Sequence, residues 1–166
     1  MPVDIVLTPL PLTKERFAPY GDVIETSDKQ GSGMNDARFD RFDNLCDIEI
    51  EAGDVAVSIA RSRTASKLPL RIDRVERHPL GSQAFIPLSQ CRMIVVVAPP
   101  AESVEASDLQ AFETNGKQGI NYRRGTWHMP LVAFESGQRY LIIDRGGQSD
   151  NCDVHYLDTA ILLQQA

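Results

Sequence analysis

The sequence predicts an all-β fold, and three observations support the prediction. Short runs of β-branched and aromatic residues recur along the chain, and Gly, Pro, Asn or Asp bounds most of them. Helix signals are sparse by comparison. The length of 166 residues suits one domain with a full hydrophobic core. We therefore expect a single domain over residues 1–166, built as a β-sandwich or barrel with a few short helices.

The predicted elements follow in chain order. The strand-like runs are VDIVLT, DVAVSIARS, LPLRIDRV, QAFIPL, RMIVVVAPP, INYRRG, PLVAFES and RYLIIDRG. A short helix is predicted directly after Thr13, which can cap it, and Pro19 should end it within about a turn and a half. The polar passage from Ser27 to Ala37 is predicted to be a loop. Polar patches near 102–108 and 146–151 are predicted to be turns.

Two of these runs predict different burial. RMIVVVAPP has apolar residues at both its odd and its even positions, which predicts a strand covered on both faces. DVAVSIARS alternates, with Val55, Val57 and Ile59 on one face and Ala56 and Ser58 on the other. That alternation is typical of a strand that lines a closed or double-layered sheet.

Charge and cysteine content exclude some function classes. The formal net charge of −6 argues against a general binder of nucleic acid or anionic membrane, because such proteins need positive surface. Most of the basic residues are arginines, so a small anionic ligand remains open. The longest apolar run, MIVVVAPPA, is too short to span a bilayer, and the first residues do not resemble a signal peptide. Cys46, Cys91 and Cys152 show no CxxC pairing, which favours a reducing cytoplasm and no disulfide framework.

A group of polar residues lies within the strand-like sequence that leads into HPLGSQ. Because side chains alternate along a strand, Ile72, Arg74, Glu76 and His78 fall on one face. If Ile72 points inward, three ionisable groups point inward with it, which is costly unless they are paired, ligated or wetted. If the same face meets solvent, Val75 is the inward residue. Alternation alone leaves both interpretations open.

A second polar group lies in INYRRGTWHMPL, which contains Tyr122, Arg124, the single tryptophan and His128. His78 and His128 each end a strand-like run, and proline follows each within two residues. Two histidines in such positions are candidates for a joint site. His155 lies in a plainer alternating strand and is predicted to be structural.

Two spacings resemble the motifs of cupins. EXHXXXXQ at residues 76–83 resembles the first cupin motif, HXHXXXXE, and RXGXXH at residues 123–128 is similar to the second, PXGXXH. Longer phrases between residues 9 and 158 resemble the ureidoglycolate lyase (formerly hydrolase) family of allantoin (purine) degradation. These phrases are PLTKERFAPYGDVIE, VERHPLGSQAFIPL, NYRRGTWHMPL and LIIDRGGQSDNCDVHYLD. The resemblance implies a cupin-like double-stranded β-helix, a jelly-roll barrel whose motif residues converge on a metal or a ligand.

The same resemblance implies cleavage of (S)-ureidoglycolate to glyoxylate and urea by a homodimer with a divalent metal, usually nickel. Such a reaction needs a base at the hydroxyl, an acid at the leaving nitrogen and a cationic clamp for the carboxylate. We expect His128 or Glu76 as base, Tyr122 or His78 as acid, and Arg74 as clamp. Gln83 and Arg124 are further expected substrate-binding residues.

The expected metal ligands are His78, Gln83 and His128, with Glu76 as a further oxygen donor. Two imidazoles with an amide form a weaker set than three histidines, so direct hydrogen bonding of the substrate without a metal remains an alternative. Two other functions also remain open: an amidohydrolase that releases ammonia and carbon dioxide, and a non-catalytic cupin that senses a small carboxylate.

Overall fold

The computed structural model describes residues 3–165, with side chains from residue 5 onward. Within this range the chain is almost entirely β-structure, with one helix, α1 (Lys14–Phe17), and one 3-10 helix (Ala106–Asp108). The strands are β1 (Val3–Leu7), β2 (Leu10–Pro11), β3 (Gly21–Ile24), β4 (Ser32–Met34), β5 (Phe39–Arg41), β6 (Asp54–Arg61), β7 (Leu70–Arg77), β8 (Gln83–Pro87), β9 (Ile94–Ala98), β10 (Gln110–Glu113), β11 (Gly119–Tyr122), β12 (Trp127–His128), β13 (Arg139–Gly146) and β14 (Asp153–Leu163).

Twelve of these strands form two curled sheets. The larger has the order β1-β14-β7-β12-β9-β10-β2, and the smaller has the order β3-β11-β8-β13-β6. Neighbours are antiparallel except for the β1–β14 and β10–β2 pairs, which are parallel. The curled half-barrel confirms the predicted all-β, cupin-like fold. No helix in the described range is long and apolar enough to cross a membrane.

Strand β9 is buried on both faces, as its apolar sequence predicts. Ile94, Val96 and Ala98 pack in one cluster, which also includes the 3-10 helix segment. Val95 and Val97 pack in a second cluster, which contains side chains from both sheets. β9 therefore separates two cores, and the second of them forms the floor of the barrel interior.

The N-terminal helix is also as predicted. The Thr13 hydroxyl accepts a hydrogen bond from the backbone N–H of Arg16 at 3.2 Å, and the helix ends at Phe17, two residues before Pro19. Phe17 is fully buried between Tyr20 and Phe112.

The predicted loop between Ser27 and Ala37 is wrong for part of its length. Ser32–Met34 pairs with Phe39–Arg41 as a small antiparallel hairpin. The backbone between these strands reverses through Asn35, Asp36 and Ala37, which all have positive φ. Asn and Asp tolerate this conformation better than most residues, so a polar sequence here makes a turn between short strands.

The predicted strand over PLVAFES is wrong, because residues 130–136 form irregular backbone. Ser66 N donates to Ala133 O at 2.7 Å, and the Ser62 hydroxyl donates to Glu135 O at 2.7 Å. These isolated bonds tie the segment to the chain after β6 without forming a ladder. The apolar residues instead serve packing, since Ala133 is buried.

Strand β6 alternates as predicted, but its apolar face is turned outward. Val55, Val57 and Ile59 are 57%, 66% and 60% exposed. The register pairs Ser58 with Ile142, which packs against the buried cluster between the sheets. Ala56 and Ala60 are the half-buried residues of β6, and the strand, at one end of its sheet, exposes a row of large apolar side chains.

Candidate functional site

Strand β7 does not alternate simply between its two faces. Ile72 and Val75 both lie in the same buried cluster, although three positions separate them. The break coincides with a register shift in the pairing of β7 with β14. Both expected orientations of this strand are therefore wrong in part: Val75 is a core residue, and so is Ile72. Glu76 lies on the opposite face from Val75, directly across from His128 on β12.

The turn before β12 brings the second predicted motif onto the first. Thr126 N donates to Arg123 O at 3.0 Å, and Gly125 within this turn has a φ of +81°. Glycine adopts that conformation without steric cost. Gly125 N also donates to His78 O at 3.0 Å. A backbone bond therefore joins the two segments directly, and β12 follows at once with His128.

Glu76, His78, Tyr122 and His128 form one cluster. The ring centroids of His78 and His128 are 5.1 Å apart. The Tyr122 ring stacks on His128 at 4.3 Å with an interplanar angle of 8°. Glu76, His78 and His128 each offer one atom that could bind a metal, and these three atoms lie within 4.8 Å of one another. The structure thus brings together the four residues that sequence reasoning selected as catalytic.

His128 has an unsatisfied buried nitrogen. The side chain is almost fully buried, and its Nδ1 donates to Met129 O at 3.1 Å. Its Nε2 has no hydrogen-bond partner within the described part of the chain. Burial, and then the nearby His78, lower the pKa of His128 from 6.5 to about 3. The ring is therefore neutral at neutral pH, with Nδ1 protonated and a free lone pair on Nε2.

Tyr122 lies against this ring as a neutral phenol. Burial, and then the negative charge of Glu76, raise the pKa of Tyr122 well above its ordinary value. Its hydroxyl therefore keeps its proton at any working pH. The flat stacking fixes the plane of the His128 ring.

His78 is held at both ring nitrogens. Nδ1 donates to the backbone oxygen of Asn151 at 2.7 Å, since a carbonyl can only accept. Nε2 lies 3.1 Å from Gln83 Oε1, and Gln83 Nε2 donates to Asp144 Oδ2 at 3.0 Å. The side-chain oxygen of Asn151, Oδ1, also accepts a hydrogen bond from the backbone N–H of Leu80 at 2.7 Å. This bond fixes the turn that follows His78.

The two predicted arginines have different surroundings. Arg74 is exposed, and lies opposite Tyr156, which is also exposed. Arg124 forms an ion pair with Glu51, and its Nε donates to Pro79 O at 2.6 Å. Arg124 therefore supports the backbone next to His78, whereas Arg74 keeps its guanidinium in solvent.

Sequence reasoning missed three residues that contact the cluster. Asp144 accepts a hydrogen bond from the side chain of Gln83, which in turn contacts His78. The backbone oxygen of Asn151 accepts a hydrogen bond from His78. The Cys152 thiol lies 3.8 Å from Glu76 Oε2. Burial, and then Glu76, raise the pKa of the Cys152 thiol. One signal was visible: Asp144 places a carboxylate within the apolar strand sequence RYLIIDRG. Asn151 and Cys152 gave none, because they lie in a polar turn.

Glu76, His78 and His128 are the side chains that could hold a metal ion. One carboxylate and two imidazoles are donors that divalent nickel, zinc or iron accept. Nε2 of His128 is buried without a partner among the described residues, which is costly unless a ligand supplies one, and Nδ1 of the same ring lies 4.0 Å from Glu76 Oε1. The Gln83 amide, a further predicted ligand, contacts His78 and Asp144.

Comparisons with known proteins agree with the resemblance of the motifs. A family model described as ureidoglycolate lyase matches residues 4–164. A protein named ureidoglycolate lyase from Pseudomonas syringae pv. syringae (strain B728a) is 44% identical over 155 residues, which cover 92% of this chain and 91% of that protein. Proteins of the same name from Pseudomonas fluorescens (strain Pf0-1) and Pseudomonas aeruginosa (strain LESB58) are 45% and 44% identical. These alignments cover 90% and 92% of both chains, respectively.

Proposed function

Because the chain belongs to the ureidoglycolate lyase family, we propose that this enzyme cleaves (S)-ureidoglycolate to glyoxylate and urea in allantoin degradation. The substrate carries a hydroxyl and a ureido nitrogen on one carbon. The hydroxyl loses its proton, its oxygen forms the carbonyl of glyoxylate, and the carbon–nitrogen bond breaks. Its electron pair stays on the nitrogen, which takes up a proton to give urea. The observation that best supports this proposal is the neutral, buried His128 with its unpartnered Nε2.

We propose His128 as the base in the metal-free protein. Its Nε2 has a lone pair and no competing donor among the described residues, and the stacked Tyr122 keeps the ring oriented. Glu76 is the second candidate, because its carboxylate lies in the same cluster.

We propose His78 as the acid that protonates the leaving nitrogen. An efficient catalytic acid has a pKa near the working pH, and the strongly raised pKa of Tyr122 makes that phenol a poor donor. Tyr122 then serves to orient His128. Gln83 serves to hold His78, since both ends of its amide are already bonded.

We propose Arg74 as the clamp for the substrate carboxylate. Its guanidinium is exposed and forms no ion pair among the side chains of residues 5–165, so it is free for a bidentate contact. Arg124 remains a predicted binding residue, although Glu51 and Pro79 already occupy part of its guanidinium.

We further propose that Glu76, His78 and His128 bind a divalent metal, with nickel as the ion that the family resemblance implies. When bound, such an ion would act as a Lewis acid that lowers the pKa of a substrate hydroxyl. Nε2 of His128 can accept a proton or bind an ion, but not both. Activity that survives chelation would support His128 as the base and His78 as the acid, whereas activity lost on chelation and restored by nickel would show that these two histidines serve as metal ligands.

The deciding experiment is a product assay with racemic substrate, run before and after metal stripping. The proposal predicts urea and glyoxylate in equal amounts, from one enantiomer only. Ammonia and carbon dioxide without urea would replace the lyase with an amidohydrolase. Binding of glyoxylate without any turnover would instead indicate a carboxylate sensor.

We propose that the enzyme is a homodimer that associates through the outer face of β6 and β13. Val55, Val57 and Ile59 are exposed there, and Leu141 and Ile143 lie beside them on β13. An exposed apolar face of this kind usually marks an interface, and β6 also has a free edge within the described sheet.

The like charges at one end of β6 favour an antiparallel arrangement of two copies of the chain. Arg61 and Arg139 lie directly opposite each other at that end, an arrangement that is unfavourable for like charges. A two-fold axis that makes the β6 strands antiparallel places the two Arg61–Arg139 pairs at opposite ends of the interface.

Light scattering at micromolar concentration tests this interface. Val57→Glu should give a folded monomer, whereas Phe39→Glu, at an equally exposed position on the small hairpin, should leave the dimer intact. A monomeric wild-type protein, or a dimeric Val57→Glu variant, would contradict the proposal. We also propose a cytoplasmic location, because Cys46, Cys91 and Cys152 are all free thiols.

A further inference from the structure

Arg145, at the end of β13, is a cation that is only 9% exposed. It forms no ion pair with a carboxylate among the residues that the structure describes. Its guanidinium donates instead to neutral oxygens. Nε donates to Glu51 O at 2.7 Å, and Nη2 donates to Ala52 O and, at 2.6 Å, to Ser149 Oγ. Nη1 donates to Ser149 O at 3.4 Å. These bonds offset the cost of burying the charge.

The four acceptors belong to two separate segments of the chain. The strap, residues 46–53, leads into β6 and supplies two backbone oxygens. The β13–β14 turn, residues 147–152, supplies both oxygens of Ser149. A guanidinium can bridge two segments in this way because its five donors point outward in a fixed plane. A lysine ammonium has its three donors on one atom and cannot span the same acceptors.

Both segments are also bonded to the turn that follows His78, and Leu80 is the residue that joins them. Its backbone oxygen accepts from Glu51 N in the strap at 2.8 Å. Its N–H donates to Asn151 Oδ1 in the β13–β14 turn at 2.7 Å, and Asn151 O accepts from His78 Nδ1 at 2.7 Å. Together with the bonds of Arg145, these contacts form a closed ring of hydrogen bonds that contains the backbone next to His78.

Glycines leave the space that the Arg145 side chain occupies. A Cβ added at Gly53 would lie 2.9 Å from Arg145 Nε and 2.5 Å from Gly146 O, which is closer than real Cβ atoms come. A Cβ added at Gly81, in the turn after His78, would lie 3.1 Å from Arg145 Cβ. Glycine at these two positions therefore lets the strap and this turn close directly on the Arg145 side chain.

We propose that Arg145 is a positioning residue that joins the strap to the β13–β14 turn and thereby fixes the place of the His78 ring. The inference rests on the proposed function only for its effect on turnover. His78 must be placed accurately whether it gives a proton or binds a metal, because a displacement of about 1 Å can lower a rate by about 10². The described hydrogen bonds of Arg145 reach no side chain of the cluster, so it acts through the backbone.

The first test measures amide hydrogen exchange by nuclear magnetic resonance in the wild type and in Arg145→Met. Methionine keeps an unbranched chain but removes every donor. The N–H of Glu51 reports on the strap and the N–H of Leu80 on the β13–β14 turn, because each donates across one of these contacts. We expect both to exchange at least about tenfold faster in the variant, through local opening. The N–H of Met129, which donates to Val96 O at 2.8 Å, reports on the sheet and should change much less.

The second test measures urea release well below the Tm of each variant. We expect kcat of Arg145→Met to fall by roughly ten- to a hundredfold with KM within about threefold, because Arg74 still binds the carboxylate. Arg92→Met is the matched control, since Arg92 pairs with Glu113 and packs over Phe134 outside the cluster. Its loss should lower Tm but keep kcat within about threefold of the wild type.

Ser149→Ala keeps the proposal testable if Arg145→Met does not fold. It removes one exposed hydroxyl that accepts from Arg145 and leaves the bonds to the strap in place. We expect the N–H of Leu80 to exchange at least about threefold faster in Ser149→Ala, whereas the N–H of Glu51 should be unchanged. Unchanged exchange at Leu80 would show that Arg145 does not hold the β13–β14 turn, and would overturn the inference.

Two further results would overturn it. The first is an Arg145→Met variant in which the N–H groups of Glu51 and Leu80 change no more than that of Met129. The second is a kcat of Arg145→Met as high as that of Arg92→Met, which would make Arg145 a structural residue only. The exchange measurements need no substrate, so they decide whether Arg145 joins the two segments even if the product assay rejects the lyase reaction.

Discussion

Replacing His128 with phenylalanine should nearly abolish turnover while leaving the fold at least as stable. Phenylalanine keeps a flat ring against Tyr122 but removes both ring nitrogens. Loss of a catalytic base typically lowers the rate by about 10²–10⁴, equivalent to roughly 2.7–5.4 kcal/mol of transition-state stabilisation. The same loss is expected if Nε2 binds a metal instead of a proton.

The expected change in stability follows from the hydrogen bonds of the ring. The variant loses the bond from Nδ1 to Met129 O, worth about 0.5–1.5 kcal/mol. It also removes the unpartnered Nε2, whose burial costs about 1–3 kcal/mol. The free energy of unfolding should therefore stay within about 0.5 kcal/mol of the wild type or rise by up to about 2.5 kcal/mol. In a chain of this size the largest rise corresponds to a Tm roughly 5–10 °C higher.

Steady-state release of urea and thermal unfolding measure the two effects on the same preparation. His155→Phe is the control, because His155 packs beside Trp127 outside the cluster and should retain turnover within about threefold. Near-wild-type turnover of His128→Phe would refute its role in the reaction. A Tm lowered by more than about 8 °C would show that the imidazole is a satisfied structural residue.

Three further predictions concern the same cluster. Since the pKa of His128 is lowered from 6.5 to about 3, the unfolded chain binds a proton below pH 6.5 that the folded protein excludes. The wild type should therefore lose about 1.4 kcal/mol of stability per pH unit through this residue as the pH falls towards 3, and denaturant titrations of His128→Phe should lack this slope. Tyr122→Phe should lower kcat less than about tenfold, because stacking is kept; a larger loss would make Tyr122 the acid. Gly125→Ala should lower the free energy of unfolding by about 1–2 kcal/mol, measured by denaturant titration, because its φ of +81° suits only glycine.

Short runs of β-branched and aromatic residues with clear boundaries predicted the longer strands. RYLIIDRG corresponds to β13 from Arg139 to Gly146, and RMIVVVAPP contains β9. Short strands such as Leu10–Pro11 went unpredicted, because two residues have no detectable period. The alternation of β6 predicted that its two faces differ, but periodicity does not show which of them meets solvent.

The candidate site was predicted from two local segments, and its supporting residues were not. The segments 76–83 and 123–128 carry the resemblance to the cupin motifs from which Glu76, His78 and His128 were predicted. Asp144 contacts Gln83 across 61 positions of sequence, and Asn151 contacts His78 across 73. Contacts of that kind depend on sheet order and register, which no single segment encodes.

The irregular pairing of β7 explains why alternation alone left the orientation of Glu76 open. A strictly regular strand would place Glu76 on the same face as Ile72, in the first core, where a carboxylate would be costly. The pairing with β14 is irregular at this point, with three extra β14 residues between the partners of Arg74 and Ile72. Ile72 and Val75 both lie in that core, and Glu76 pairs across from His128. The first core and the polar cluster therefore both draw their residues from this irregular stretch of pairing.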